Sequence, residues 1–283
     1  MPTSPRAALA ARRAQGQSSI IPYLTAGYPD WDRFDEAASG LVRAGADVFE
    51  LGVPFSDPLA DGPTIQRASQ AALENGVTLE QILDRVASRR EAWGLPVVLM
   101  TYVNPIVAYG IERFCRRAQE AGVGGVLISD LPPEETPELW SALAAHGIET
   151  AVLTAPTTKA ERLPALAAAT TGFLYCVSRT GVTGRGKDYA GNLGDQIDGL
   201  RAQSEVPVVV GFGIRSPEDA VRVRETWNPD GVVLGARLIE ILEGEGGVTE
   251  LHGFLSGIRE ALDAADGPSG TAGGAPEGGT PRA

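Results

Sequence analysis

The sequence predicts an α/β protein, a closed (β/α)8 barrel of the TIM type, with a phosphate-binding end and an extra helix after the second strand. Three observations lead there. Eight apolar runs recur from Ser18 to Asp230 at intervals of roughly 30 residues, the size of one strand–helix unit. The runs are continuously apolar, as in strands buried on both faces, where a half-exposed strand would alternate. The stretches between them carry helical spacing and capping residues. A doubly wound open sheet is the competing architecture, and eight units with no split into halves favour closure.

The runs start at Ser18 (SSIIPYL), Asp47 (DVFELGV), Pro96 (PVVLMT), Gly124 (GGVLIS), Glu149 (ETAVLT), Thr171 (TGFLYCV), Val206 (VPVVVGF) and Asp230 (DGVVLG). The first helix, 30–41, sets Trp31, Phe34, Ala37, Ala38 and Leu41 on one face. Gly45, Gly122 and Gly147 stand just before the next strands, where glycine ends helices. The second interval is long enough for two helices, 63–75 and 78–93. The sixth holds a polar, glycine-rich stretch, 180–192. Ser216 followed by Pro217 marks a helix start. The eighth run passes through Gly235-Ala236 straight into an apolar helix, 238–242.

The barrel domain is expected over 1–265, folded from about residue 5. Residues 266–283, all Gly, Pro and small or polar types, are expected to form a flexible tail. A hydrophobic content of 43% excludes a wholly disordered chain. The net charge of −12 argues against nucleic acid and anionic membranes as partners. Cys115 and Cys176 lie far apart with no CxxC spacing, so two packed thiols are expected and no disulfide or zinc site. No apolar run reaches transmembrane length, and the N-terminus lacks a secretory apolar region. The expected location is the cytoplasm.

Barrel chemistry sits at the C-terminal strand ends. Glu50 lies inside the apolar run of strand 2. It must face the barrel or be paired, and desolvation would raise its pKa toward the range useful for proton transfer. A structural ion pair is the other reading. The loop that follows carries Asp57 and Asp61, and Asp61 also fits a helix N-cap before Pro63. After strand 6, Ser178 to Gly184 has the glycines and threonines of a mobile lid or an anion-binding turn. Gly211 and Gly213 after strand 7, with Gly235 and Ala236 after strand 8, form the pattern of a barrel phosphate site.

Other chemistries lack their residues. Lys159 and Lys187 are away from strand ends, which removes a Schiff-base nucleophile. His146 and His252 fall at or in outer helices, so no metal site is expected. No GxGxxG follows a first strand. What remains is carboxylate acid–base chemistry on a small phosphorylated molecule.

Six segments in one order carry a resemblance: PYLTAGYP (22–29), ELG with PFSDPLADGPTIQ (50–66), TYVNP (101–105), SDLP (129–132), SRTGVTG (178–184) and GFGI (211–214). Through them nearly the whole folded region resembles the tryptophan synthase alpha subunit family. That resemblance implies a lyase of tryptophan biosynthesis that splits indole-3-glycerol phosphate, by retro-aldol cleavage, into indole and glyceraldehyde 3-phosphate. It implies Glu50 as general acid–base and Asp61 as the partner of the indole N–H. Tyr23, Met100, Tyr102, Leu127, Leu153, Tyr175 and Phe212 would line the substrate pocket, and Thr183 would reach Asp61 on loop closure. Backbone amides of Gly184, Gly213, Gly235 and Ala236 would hold the phosphate. The family pattern usually has serine at position 236, so the hydroxyl is missing here, and Arg237 is expected to compensate by charge. The resemblance also implies a beta-subunit partner carrying pyridoxal phosphate, in an alpha2-beta2 heterotetramer, with no cofactor in this chain. Asp57, Pro58 and Arg179 would communicate with that partner. The alternatives are a free-standing lyase, a catalytically weak regulatory subunit of the beta chain, or another phosphate barrel.

Overall fold

In the computed structural model, the described residues are 4–177, 193–211 and 213–267. Their strands form a closed parallel barrel in sequence order. The strands are β1 (Ser19–Thr25), β2 (Phe49–Gly52), β3 (Val97–Thr101), β4 (Gly125–Ile128), β5 (Glu149–Thr154), β6 (Phe173–Val177), β7 (Val208–Gly211) and β8 (Gly231–Leu234). Each starts zero to two residues after the start of its apolar run. β8 returns to β1 with Ser19 opposite Gly231 and Ile21 opposite Val233.

The helices are α1 (Pro5–Ala14), α2 (Trp31–Gly40), α3 (Pro63–Glu74), α4 (Leu79–Trp93), α5 (Val103–Tyr109), α6 (Ile111–Ala121), α7 (Pro137–Ala145), α8 (Leu163–Ala169), α9 (Leu193–Gln203), α10 (Pro217–Trp227), α11 (Ala236–Glu243) and α12 (Gly247–Asp266). Their ends follow local chemistry. Asp30 and Ser216 accept the N3 amides of α2 and α10. Thr78 and Gln81 form a reciprocal capping box on α4. Gly122 closes α6 in the left-handed conformation.

Strand alternation separates two cores. One set of residues, including Ile20, Phe49, Leu99, Leu174 and Val232, packs outward against the helices. The other, including Ile21, Val48, Val98, Leu127, Phe173 and Val209, fills the barrel. Cys176 faces the helices, with Thr154 donating to its sulfur, and both cysteines are free and buried.

The N-terminal end of the barrel is shut by an element the sequence reading left unassigned. α1 lies across it and inserts Leu9, fully buried, into the inner core. Ser4 donates to Glu149 at the start of β5. Arg12 holds Asp47, just before β2, at 2.7 Å. Arg259 of α12 donates to the Ser18 carbonyl at 2.9 Å and pairs with Asp47 and Asp263. α12 runs through Asp266, one residue past the boundary drawn from composition. Asp266 accepts the Ser18 amide at 2.7 Å and pairs with Arg224 at 2.5 Å. Residues 268–283, expected as a tail, lie outside the described residues.

No helix among the described residues is long and apolar enough to cross a membrane. His146 and His252 bond the carbonyls of Ala142 and Ala37, which is packing chemistry.

Candidate active site

Glu50 shares its strand face with Val48, so it points into the barrel, and it stands opposite Tyr23 of β1 and Val98 of β3. It is 1% exposed, and its Oε1 has no hydrogen-bond partner. The ion-pair reading of Glu50 therefore has no cation behind it among the described residues. Burial, and then the charge of Asp61, push the carboxyl up to about 8, because the anion loses water and gains nothing in exchange.

Asp61 is also buried. It is not the cap of α3: Gly62 holds that position and contributes no side-chain bond. The Tyr102 hydroxyl donates to Asp61 Oδ2 at 3.1 Å and accepts the Ala60 amide at 3.0 Å. Gln66 ties the same loop by donating to the carbonyls of Asp61 and Pro58. Burial raises the Asp61 carboxyl to about 6, against the lowering effect of the Tyr102 bond. The two carboxyls thus differ in environment, the usual way for one site to hold both an acid and a base.

Two tyrosines flank them. A Cβ on Gly52 would come within 2.1 Å of the Tyr23 hydroxyl, and one on Gly211 within 2.5 Å of the Tyr175 hydroxyl. Only glycine at these strand ends leaves room for the rings. Tyr23 donates or accepts with Thr25 at 3.2 Å. Both phenols are held protonated, chiefly by burial and then by the nearby carboxylates. Met100, Leu153 and Tyr175 sit partly buried above the inner core, and Leu127 is fully buried within it.

At the β7–β8 side, Gly213 has φ +65° and open space where a Cβ would be. Gly235 precedes α11 without a side-chain cap. The first amides of a helix have no partner within it, and α11 begins with those of Ala236 and Arg237. The Arg237 side chain has partners of its own. Its guanidinium pairs with Glu240 and Glu250 at 3.6 and 3.7 Å and lies over the Phe254 ring. Those carboxylates and that ring draw it toward α12.

Asp57 and Pro58 lie on the loop after β2, where Leu59 is 88% exposed. Arg179, Thr183, Gly184 and Phe212 lie outside the described residues. Among the described residues no three His, Cys, Asp or Glu side chains cluster as for a metal. The sequence reading missed Phe55, whose ring packs on Tyr102 at 5.1 Å, and Thr25. It also missed the bond of Tyr102 to Asp61, for which no local pattern exists.

The family model described as "Tryptophan synthase alpha chain" matches residues 9–255. A tryptophan synthase alpha chain of Laribacter hongkongensis is 48% identical over 259 residues, 90% of this chain and 97% of that one. One of Xylella fastidiosa is 48% identical over 257 residues, 89% and 95% of the two chains. Among solved structures, Mycobacterium tuberculosis tryptophan synthase superposes with a TM-score of 0.83 at 35% identity, covering 91% and 97%. Tryptophan synthase subunit alpha from Legionella pneumophila gives 0.82 at 36%, covering 93% and 99%. This chain belongs to the tryptophan synthase alpha chain family, the lyase that carries out the indole-3-glycerol phosphate cleavage half-reaction.

Proposed function

We propose that Glu50 and Asp61 divide the chemistry of this cleavage between them. Glu50, held protonated by burial, delivers its proton to indole C3. The positive charge that then spreads to the ring nitrogen is stabilised by Asp61, which accepts a hydrogen bond from the indole N–H. The Glu50 carboxylate next takes the proton of the C3′ hydroxyl. The C3–C3′ bond breaks, its electrons return to the ring, and indole and glyceraldehyde 3-phosphate form. The proton count on Glu50 closes over the cycle. The observation that carries this reading is the buried, unpartnered carboxylate oxygen of Glu50 beside a second raised carboxyl.

In the same reading, Tyr23, Met100, Tyr102, Leu127, Leu153, Tyr175 and Phe212 surround the indole. Thr183 meets Asp61, and the amides of Gly184, Gly213, Gly235 and Ala236 hold the phosphate. The chain uses no cofactor of its own and works in the cytoplasm. Indole passes to a beta subunit carrying pyridoxal phosphate, within an alpha2-beta2 heterotetramer. Asp57, Pro58 and Arg179 communicate with that partner, and the exposed apolar side chains of Leu59, on the loop after β2, and Val107, on α5, support a contact surface.

The test is indole release from indole-3-glycerol phosphate by the purified chain, alone and with a tryptophan synthase beta chain, for wild type and Glu50→Gln. Slow release alone, a large rise with the partner, and a loss of about 10²–10⁴-fold in Glu50→Gln are expected. An active Glu50→Gln variant would refute the role given to Glu50. Fast release by the chain alone would replace the coupled subunit by a free-standing lyase.

A further inference from the structure

A cavity of about 350 Å³ is lined by Ser18 and Asp230, which precede β1 and β8, so it opens at the N-terminal end of the barrel, opposite Glu50 and Asp61. Three arginines from three helices also line it: Arg13 of α1, Arg201 of α9 and Arg224 of α10. Each stands in the last turn of its helix, where the carbonyl end carries about half a negative charge and favours a cation. That role uses only part of each side chain. Arg201 donates to the Asn228 carbonyl, and Arg224 to the Gly16 carbonyl at 3.5 Å. Arg224 also holds Asp266 at 2.5 Å.

Arg13 and Arg201 have one carboxylate between them. Asp230 Oδ1 lies 3.4 Å from Arg13 Nε and 3.4 Å from Arg201 Nη2, long for a charge-assisted bond. Its Oδ2 accepts the Val208 amide at 2.7 Å, so the carboxylate is fixed to β7. Of these two guanidiniums, one has no counter-charge among the described residues, in a chain whose net charge is −12. Both Nη groups of Arg13, and Nη1 of Arg201, have no partner among the described residues. Such planar forks grip phosphate oxygens in pairs. We propose that this cavity binds a diphosphate group, as the free anion or carried by a nucleotide. One phosphate would lie between Arg13 and Arg201, and the second would reach Arg224. The site does not rest on the roles proposed for Glu50 and Asp61.

Inorganic pyrophosphate is the probe, titrated calorimetrically into the full chain without divalent cations. One equivalent is expected to bind. Arg13→Gln is expected to weaken binding about tenfold, the effect of losing one hydrogen bond between charged groups, and Arg201→Gln to do the same. Arg113→Gln, which removes an exposed arginine of α6 outside the cavity, is expected to leave affinity unchanged. Affinity is also expected to survive saturating glyceraldehyde 3-phosphate. Inorganic phosphate is expected to bind about tenfold more weakly. ADP separates the two sources: tighter binding than pyrophosphate supports a nucleotide, and equal or weaker binding supports the free anion. Equal affinities of wild type and Arg13→Gln would overturn the site, as would equal weakening in Arg113→Gln, which would leave only non-specific attraction. Loss of binding with glyceraldehyde 3-phosphate would overturn it too, by moving pyrophosphate to the active site. Equal binding of inorganic phosphate would overturn the ligand class. Should Arg201→Gln not fold, Arg13→Gln decides alone, since its side chain is 39% exposed and held by one long contact.

Discussion

The two ends of this barrel are built from the same eight strands and treat charge in opposite ways. At the N-terminal end, Arg12, Arg224 and Arg259 meet Asp47, Asp263 and Asp266 in ion pairs, and α1 seals the opening with Leu9. At the C-terminal end, Glu50 keeps an unpartnered oxygen, and burial raises both Glu50 and Asp61. One end satisfies its carboxylates and gains stability. The other leaves a Glu50 oxygen without a partner and raises both of its carboxyls. An acid poised near neutral pH is incompatible with a strong ion pair, which would drive its pKa down.

The largest test of this contrast is the pH dependence of stability in Glu50→Gln. Burial raises the native Glu50 carboxyl from the ordinary 4.5 to about 8, so the native state holds its proton more tightly than the unfolded chain. The Glu50 contribution is then fully present below pH 4.5 and is lost as pH rises through about 8. Relative to Glu50→Gln, wild type should lose on the order of a few kcal/mol across that window. Asp61 adds a smaller loss between 3.8 and about 6, common to both proteins. Urea melts at several pH values measure the difference, and parallel curves would break the contrast.

Next in size is Arg259→Ala, which removes a buried cation from the satisfied end. A loss of about 3 kcal/mol is expected, tempered by Arg12, which still holds Asp47. The KM and kcat of the folded fraction should stay at wild-type values. A fall in kcat beyond the unfolded fraction would show that the two ends are coupled. Smallest is Arg237→Ala. Because its guanidinium is already engaged with Glu240 and Glu250, the substrate KM should change by less than about twofold, under about 0.4 kcal/mol. A tenfold rise would return Arg237 to the phosphate.

The sequence made legible what strand burial writes into it. Continuous apolar runs marked all eight strands, and Glu50 stood out as the charge within one of them. Glycines after strands 7 and 8 marked the strand ends from which Gly213 and the start of α11 follow. Other features depend on partners far along the chain. The bond of Tyr102 to Asp61 spans 41 residues. α1 carries only Pro5 and Leu9 as buried residues, too thin an apolar stripe to announce a helix that plugs a barrel. Asp266 stands at the start of a Gly- and Pro-rich stretch, and only Ser18 and Arg224 reveal that it belongs to the fold. The direction of Arg237 was equally hidden, since α12 supplies two of its partners, Glu250 and Phe254.

The tie between Ser18 and Asp266 joins positions 248 apart, and β1 pairs with β8 in the same region. During synthesis, the edge of β1 that will receive β8 therefore waits for nearly the whole chain. At translation rates of about 5–20 residues per second, the wait between β1 and β8 is about 10–40 s. For that time a buried strand has an open edge, the form most prone to pair with the wrong chain. Sealing the barrel thus waits for β8 and Asp266, and until both are made the nascent chain keeps an edge open to the wrong partner.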